Sequence, residues 1–410
     1  MSEAWIIDAC RTPRGVGKPG KGALAGIHPQ QLGASVLRAL AERTRIDTAE
    51  VDDVVWGTSA QRGRQGGNIG RMSALDADYA VTAGGVTLDR FCGSGLTAVS
   101  MAAAQIMAGM DRLVVAGGTE MMSMPGRHGD GPPVMDSGNL RLREAHPQVN
   151  QGLSADLIAT LNGIPRRALD ELALSSQQRA AAAIAEGRFA RSLVPVHHED
   201  GGLALDREEY PRPQTTLEGL AALKPSFETI ADTPVDDSGQ THRDLISRRY
   251  PGLDIQFVHH PGNSSGVVDG SAAVLLASAD YARAHGMRPR ARIVAMATSG
   301  CSPTLMLDAP APAAHKVLER AGLGVDDIDL FEVNEAFAVV AERFIRELDL
   351  DRDKVNVNGG AIALGHPIGA TGAILIGTVL DELERRDQRL GLVTMCTGGG
   401  MAPAVIIERL

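Results

Sequence analysis

Asp89-Arg90-Phe91-Cys92-Gly93-Ser94-Gly95-Leu96 sets one cysteine between a short strand-like run, Val86-Thr87-Leu88, and a helix of small residues from Thr97 to Gly109. A thiol at a strand-to-helix turn lies near the positive end of the helix dipole, which favours the thiolate. The neighbouring glycines allow close backbone approach and leave amide N–H groups available to an oxyanion. A lone cysteine in a tight turn is more often a small buried hydrophobe. A catalytic reading of Cys92 therefore needs partners from elsewhere in the chain.

An internal repeat supplies them. Val51-Asp52-Asp53-Val54-Val55 precedes Cys92, and Val325-Asp326-Asp327-Ile328-Asp329-Leu330 precedes His366, with 41 positions from Val51 to Cys92 and from Val325 to His366. Glycine and a helix follow each: Gly93-Ser94-Gly95 in the first half, and Gly365-His366-Pro367-Ile368-Gly369 with a helix over 370–385 in the second. Leu113-Val114-Val115-Ala116-Gly117-Gly118 then pairs with Leu392-Val393-Thr394-Met395-Cys396-Thr397-Gly398-Gly399, after a gap five residues longer in the second half. Alternating strands and helices in two matched runs predict a duplicated, layered α/β fold. Pseudo-twofold packing of the halves would bring Cys92 and His366, as counterparts at equivalent helix N-termini, to a common centre.

The chain has 410 residues, 44% of them hydrophobic but only 3% aromatic. That length gives large cores and two or three domains, and the core must be built from Ala, Val, Leu, Ile and Gly. The net charge of −10 excludes a sequence-independent nucleic-acid binder, which shows a basic face. Cys10, Cys92, Cys301 and Cys396 stand far apart, without metal-site or disulfide spacing, as expected of a reducing compartment. The N-terminus carries no basic-then-apolar leader, and no apolar run is long enough to span a bilayer. A cytoplasmic protein with no membrane partner and no bound metal is expected.

Within this frame, residues 29–45 read as a helix, with Leu32, Val36, Leu37 and Leu40 on one face. Met121-Met122-Ser123-Met124-Pro125 opens a polar, Gly/Pro-rich stretch that reads as an inserted lobe over 122–245, with a helix at 166–187. Residues 230–253 are rich in Asp, Arg, Ser and Pro and read as a long exposed loop. The domain expectation is an N-terminal half of 1–121 plus 246–280, the inserted lobe 122–245, and a C-terminal half of 281–410.

His366 is the candidate base for a Cys92 nucleophile. Cys396 ends a strand before Thr397-Gly398-Gly399-Gly400, so a second thiol and a run of glycine N–H groups meet in the mirrored turn; such a thiol can act as acid or base. Asn334 and Glu335 follow the corresponding strand, and Asn334 can hold a water or donate to a developing charge. Its alternative role is to cap a helix over 335–347. Cys10 and Cys301 are expected to be buried small hydrophobes.

Asp-Arg-Phe-Cys-Gly-Ser-Gly, Asn-Glu-Ala-Phe, Gly-Gly-Ala-Ile-Ala-Leu-Gly-His-Pro-Ile-Gly-Ala-Thr-Gly and Cys-Thr-Gly-Gly-Gly, in this order over essentially the whole chain, resemble the thiolases, the acetyl-CoA acetyltransferases and 3-ketoacyl-CoA thiolases. The resemblance implies a thiolase-like αβαβα fold with an inserted loop domain carrying coenzyme A. It implies Cys92 as acyl-accepting nucleophile, His366 as its activator, and Asn334 as holder of a water in one oxyanion hole. Cys396 would exchange a proton with the C2 carbon, and the N–H groups of Cys92 and Gly398 would form a second hole. The reaction is CoA-dependent cleavage of a 3-ketoacyl-CoA, or the reverse condensation, with ping-pong kinetics. Coenzyme A and acetyl-CoA enter as substrates, with no permanent cofactor, and the assembly is a homodimer or homotetramer built on the Cys92 half.

Ser265, in Asn263-Ser264-Ser265-Gly266, matches a pantetheine-contacting serine of the family, and Phe337 and Gln151 complete the expected substrate contacts. The chain departs from the family at Asn150-Gln151-Gly152-Leu153-Ser154-Ala155-Asp156, where a Met-Gly-x-Thr-Ala-Glu segment is common. It departs again at His259-His260-Pro261-Gly262, where a Thr-Ala-like pair is usual, and residues 230–254 are extra length that could lid the CoA site or extend an oligomer contact. A ketoacyl-synthase-like condensing enzyme would carry a second histidine in place of Asn334 and lack Cys396. A non-catalytic lipid carrier on the same fold would have lost Cys92, His366 or Cys396. His259 and His260 lack the carboxylate or cysteine spacing of a metal hydrolase.

Overall fold

The computed structural model describes residues 3–124 and 135–410. The main path of the first half has five strands, β1 (Ala4–Arg11), β2 (Asp53–Gly57), β3 (Val86–Leu88), β4 (Leu113–Met121) and β5 (Val268–Ser278), and a two-residue strand at Gly15–Val16 pairs with β5 beside it. Four build the second: β6 (Ala291–Gly300), β7 (Leu330–Val333), β8 (Leu390–Thr394) and β9 (Met401–Arg409). They form one sheet in the order β3-β2-β4-β5-β1-β6-β9-β8-β7. The order is the same outward from the middle in both halves, and a parallel bridge from Phe331 to Val355 stands where β3 stands in the first half. The halves join through the antiparallel pair of β1 and β6, with Trp5 opposite Arg292 and Ile6 opposite Ala291.

Strand alternation sorts the side chains into layers. Leu113 and Val115 of β4 face an outer cluster with α1 (Pro29–Thr44) and α2 (Ile69–Asp76). Val114 and Ala116 face inward, into a cluster shared by α3 (Ser94–Met107) and α8 (Thr371–Arg386). In the second half Val393, Val405 and Ile407 join that inner cluster. Leu392 and Ile406 face the opposite outer layer, formed by α6 (Pro310–Ala321) and α7 (Ala338–Glu347). The two halves of this one sheet thus face each other across the central helices, each with outer helices on its far side, which makes five layers: helix, half-sheet, helix, half-sheet, helix. Small residues allow the two central helices to approach: a Cβ on Gly372 would stand 2.0 Å from the Leu96 nitrogen.

The duplication runs in a different register from the one the apolar pattern suggests. Asp52 Oδ2 accepts from the N–H groups of Arg112 and Leu113, and Asp329 Oδ2 accepts from those of Arg389 and Leu390. Asp329, Thr371 and Leu390 each lie 277 positions beyond Asp52, Ser94 and Leu113, the matching bridge, helix start and strand start. No five-residue insertion separates the halves. Cys92 and His366 are therefore not strict counterparts. Cys92 stands two residues before its helix and His366 five before the equivalent one, the extra three being taken up by the Pro367-Ile368-Gly369 turn.

The excursion between β4 and β5 holds α4 (Gln151–Leu161) and α5 (Arg166–Ala185). Glu208 ties it to the first half through the buried guanidiniums of Arg11 (2.6 Å) and Arg14 (3.1 Å). Residues 230–253 are not an exposed loop. They contain the helix His242–Arg249, closed by a Thr241–Asp244 capping box. Ala231, Val235, Leu245 and Ile246 pack with Val149, Leu153 and Leu157 into a separate small core. Polar composition hid a sparse apolar set that one helix turn and one bend bring together. That helix crosses position 245, so the excursion continues unbroken to β5.

Candidate active site

Cys92 occupies a tight elbow. Phe91 takes a left-handed backbone (φ 47°), an uncommon state for a large side chain. Local hydrogen bonds hold it there: Phe91 N–H donates to Asp89 Oδ1 (2.6 Å), Arg90 N–H to Ser94 Oγ (2.9 Å), and Ser94 Oγ–H to the Phe91 carbonyl (2.6 Å). Cys92 is buried and stands just before α3, whose N-cap is Gly93. The elbow lies against the glycine turn of the second half, so closely that a Cβ on Gly93 would meet Thr397 Cγ2 at 2.5 Å.

His366 is fixed on both sides of its ring. Its Nδ1 lies 2.6 Å from Thr371 Oγ1, and that hydroxyl donates its proton to the Pro367 carbonyl (2.9 Å). Thr371 Oγ1 can therefore only accept from the imidazole, which puts the ring proton on Nδ1 and a lone pair on Nε2. The Asn334 amide nitrogen stands 3.4 Å from that Nε2. The His366 N–H donates to the Gly266 carbonyl (2.9 Å).

Asn334 is not a helix cap, because α7 begins at Ala338 with Phe337 in the cap position. Its Oδ1 is buried without a partner, as suits a side chain that accepts from a water or substrate. Glu335 is structural. Ser176 Oγ (2.7 Å), Asn356 Nδ2 (3.0 Å) and the Ile362 N–H (3.2 Å) all donate to its carboxylate, which burial nonetheless pushes above its ordinary range.

Cys396 is fully buried. Burial first, and then the neighbouring Cys92, push its thiol well above the ordinary range, so it holds its proton at neutral pH. The Gly398 N–H meets no acceptor among the described residues. Met135 and the Phe91 ring close over Gly398. Met135 carried no signal in the sequence, whereas Phe91 and Thr371 lie within the Asp-Arg-Phe-Cys and Gly-Ala-Thr-Gly motifs without being singled out there.

Ser265 is half-buried in a segment stitched to both catalytic loops: its N–H donates to the Ala336 carbonyl (3.0 Å), and that of Gly266 to the Ala361 carbonyl (3.0 Å). Ser264 bridges Phe337. The Phe337 ring meets Phe227 and His259 edge-on, at 5.9 and 5.6 Å. Gln151 opens α4, next to the cluster that holds Phe227. Cys10 is buried, as expected, whereas Cys301 is half-buried beside Gly400, with its N–H on the Gly400 carbonyl (2.8 Å). Among the described residues no three His, Cys, Asp or Glu side chains are grouped to hold a metal ion, and no helix is long and apolar enough to cross a membrane.

The fold, with Asn334 beside His366 and Cys92 neighbouring Cys396, agrees with the class that the comparisons show: enzymes of the thiolase type, which act on CoA thioesters. The chain belongs to the thiolase family. Residues 4–233 match the thiolase N-terminal domain and residues 287–409 the thiolase C-terminal domain. It is 42% identical to a steroid 3-ketoacyl-CoA thiolase of Mycobacterium tuberculosis, over 100% of this chain and 95% of that one. It is 39% identical to a β-ketoadipyl-CoA thiolase of Acinetobacter baylyi over the full length of both. An acetyl-CoA acetyltransferase from Bacillus anthracis superposes with a TM-score of 0.85, at 35% identity, over 100% of this chain and 99% of its own.

Proposed function

We propose that the chain cleaves 3-ketoacyl-CoA thioesters with coenzyme A through an acyl-Cys92 intermediate, and runs the reverse condensation when metabolite levels allow. The observation that carries this reading is the setting of His366, with Nδ1 2.6 Å from Thr371 Oγ1 and Nε2 3.4 Å from the Asn334 amide. With the proton held on Nδ1 by Thr371, Nε2 is a lone-pair acceptor, which is what activation of the Cys92 thiol requires. The Cys92 thiolate attacks the keto carbon. The N–H groups of Cys92 and Gly398 hold the oxyanion formed on the keto oxygen, while His366 and a water on Asn334 hold the thioester oxygen that becomes the enolate. Breaking the bond between C2 and C3 leaves an acetyl-CoA enolate, and Cys396 supplies the proton that C2 needs.

A thiol kept neutral by burial suits that step. The Cys396 thiolate then takes the proton of incoming coenzyme A, whose sulfur attacks the acyl-Cys92 carbonyl, with the N–H groups of Cys92 and Gly398 holding the oxyanion. Cys92 leaves and regains its proton through His366, which closes a ping-pong cycle. Ser265, Gln151 and Phe337 are assigned to the CoA and acyl contacts, and the excursion after β4 to the CoA side. Free cysteines throughout the described chain support a cytoplasmic setting. The open edge of β3, with Val86 exposed, supports a homodimer or homotetramer through the Cys92 half.

The test is CoA-dependent cleavage of a panel of 3-ketoacyl-CoAs, from acetoacetyl-CoA through long-chain to ring-bearing and dicarboxylic thioesters. Cleavage within the panel fixes the substrate class. An absence of cleavage, with no acylation of Cys92 by acetyl-CoA, would overturn the proposal.

A further inference from the structure

The two places where the sequence departs from the thiolase pattern meet in space. His259 Nδ1 lies 2.7 Å from Asp156 Oδ1, and that oxygen also accepts from the N–H groups of Val258 and His259 (3.0 Å each). Three donors on one carboxylate oxygen put the ring proton on Nδ1. His259 Nε2 and Asp156 Oδ2 are then left buried without a partner, and both side chains are 0% exposed. Leaving such atoms unbonded is costly. The adjacent His260 shows the contrast. Its Nε2 donates to Asp170 (2.8 Å) and its Nδ1 accepts from the Gly262 N–H (3.1 Å), so both nitrogens are used.

The His259 ring sits edge-on to Phe337, in the loop whose Asn334 reaches His366. Phe337, Met306 and Cys396 belong to one apolar cluster, against which Met135 packs. A polar pair with unused hydrogen-bonding atoms is thus packed against Phe337, three residues along the chain from Asn334.

We propose that the Asp156–His259 pair determines acyl-group specificity, and that His259 Nε2 accepts a hydrogen bond from a hydroxyl on the acyl chain, so that oxygenated 3-oxoacyl thioesters are preferred over plain hydrocarbon ones. The proposal rests on the acyl-transfer reading of the site. A buried acceptor that has lost its donor discriminates more strongly than a missing methylene does.

The test compares kcat/KM for a medium-chain 3-oxoacyl-CoA with that for isomers bearing one hydroxyl at successive carbons beyond the keto group. The expected result is a preference of about tenfold or more for one isomer. His259→Leu should lose at least about tenfold more on that isomer than on the hydrocarbon thioester, and His259→Gln, which keeps a hydrogen-bonding group, should retain part of the preference. Thermal melts show whether each variant folds, and Asp156→Asn serves as the second variant. Cleavage of every thioester without preference, or a parallel fall on all of them in His259→Leu, would overturn this proposal alone. Failure of the wild type to cleave any of them would overturn the acyl-transfer reading itself.

Discussion

In the proposed cycle each thiol has a separable task. Cys92→Ser is expected to abolish the acyl-enzyme, measured by intact mass after mixing with acetyl-CoA. Cys396→Ala should still acylate Cys92 yet lose carbon–carbon cleavage, because the proposed donor of the C2 proton is gone; normal thiolysis by this variant would refute the assignment. Thr371→Val leaves His366 Nδ1 without its acceptor, frees the ring to change tautomer, and should lower kcat by roughly tenfold to a hundredfold with an altered kcat–pH profile. At this scale the sequence was most informative where a reactive side chain stood in a glycine turn, as at Cys92, His366 and Cys396. It was silent where a residue works by touching another. The Thr371 hydroxyl reads as an ordinary helix-start residue, and the capping role weighed for Asn334 fails because the chain runs on extended through Phe337 before the helix begins.

Among the elements, the segment after Phe227 shows how far composition misleads. Charged residues dominate it, yet Leu245 and Ile246 are buried against Val149, Leu153 and Leu157. Leu245→Ala should cost about 2–5 kcal/mol in unfolding measurements, whereas a passive exposed loop would show almost no change. The segment also reaches towards the centre. Asp236 Oδ2 is 2.5 Å from Arg143 Nη1, and Arg143 is clamped on Asp136 (2.7 and 2.8 Å), next to the Met135 that covers Gly398. Asp236→Ala is therefore expected to raise KM for long acyl thioesters several-fold while leaving acetoacetyl-CoA less affected, as read from initial rates across chain lengths. The helices and strands of the two halves were legible because their periods are long and apolar. The register of the repeat was not, since the bridges from Asp52 and Asp329 that fix it are single side chains at strand entries.

Across the whole molecule, the centre exists only because two halves share one inner layer of helices. Folding is accordingly linked to groups that burial holds in one protonation state. Burial raises the Cys10 thiol from 9.0 to about 12 and the Cys301 thiol from 9.0 to about 11. A raised folded-state value means that the stability these groups give is complete below the unfolded value and is lost as pH rises through the folded one. The melting temperature should thus fall from about pH 9 upward, and Cys10→Ala should flatten that fall. On the acid side, burial would raise Glu382, but Arg385, Arg386 and Asn358 outweigh it and hold the carboxyl at about 2. Its contribution is present above the ordinary carboxylate range and is lost as pH drops towards 2.

The most direct test of the central claim is to mix the protein with a 3-ketoacyl-CoA that it cleaves, in the absence of free coenzyme A, and map the modified peptide by mass spectrometry. The shortened acyl group is expected on the Cys92 peptide, in step with release of one acetyl-CoA, and should disappear when coenzyme A is added. An acyl group on Cys396, or acetyl-CoA release with no acylated cysteine, would contradict transfer through Cys92.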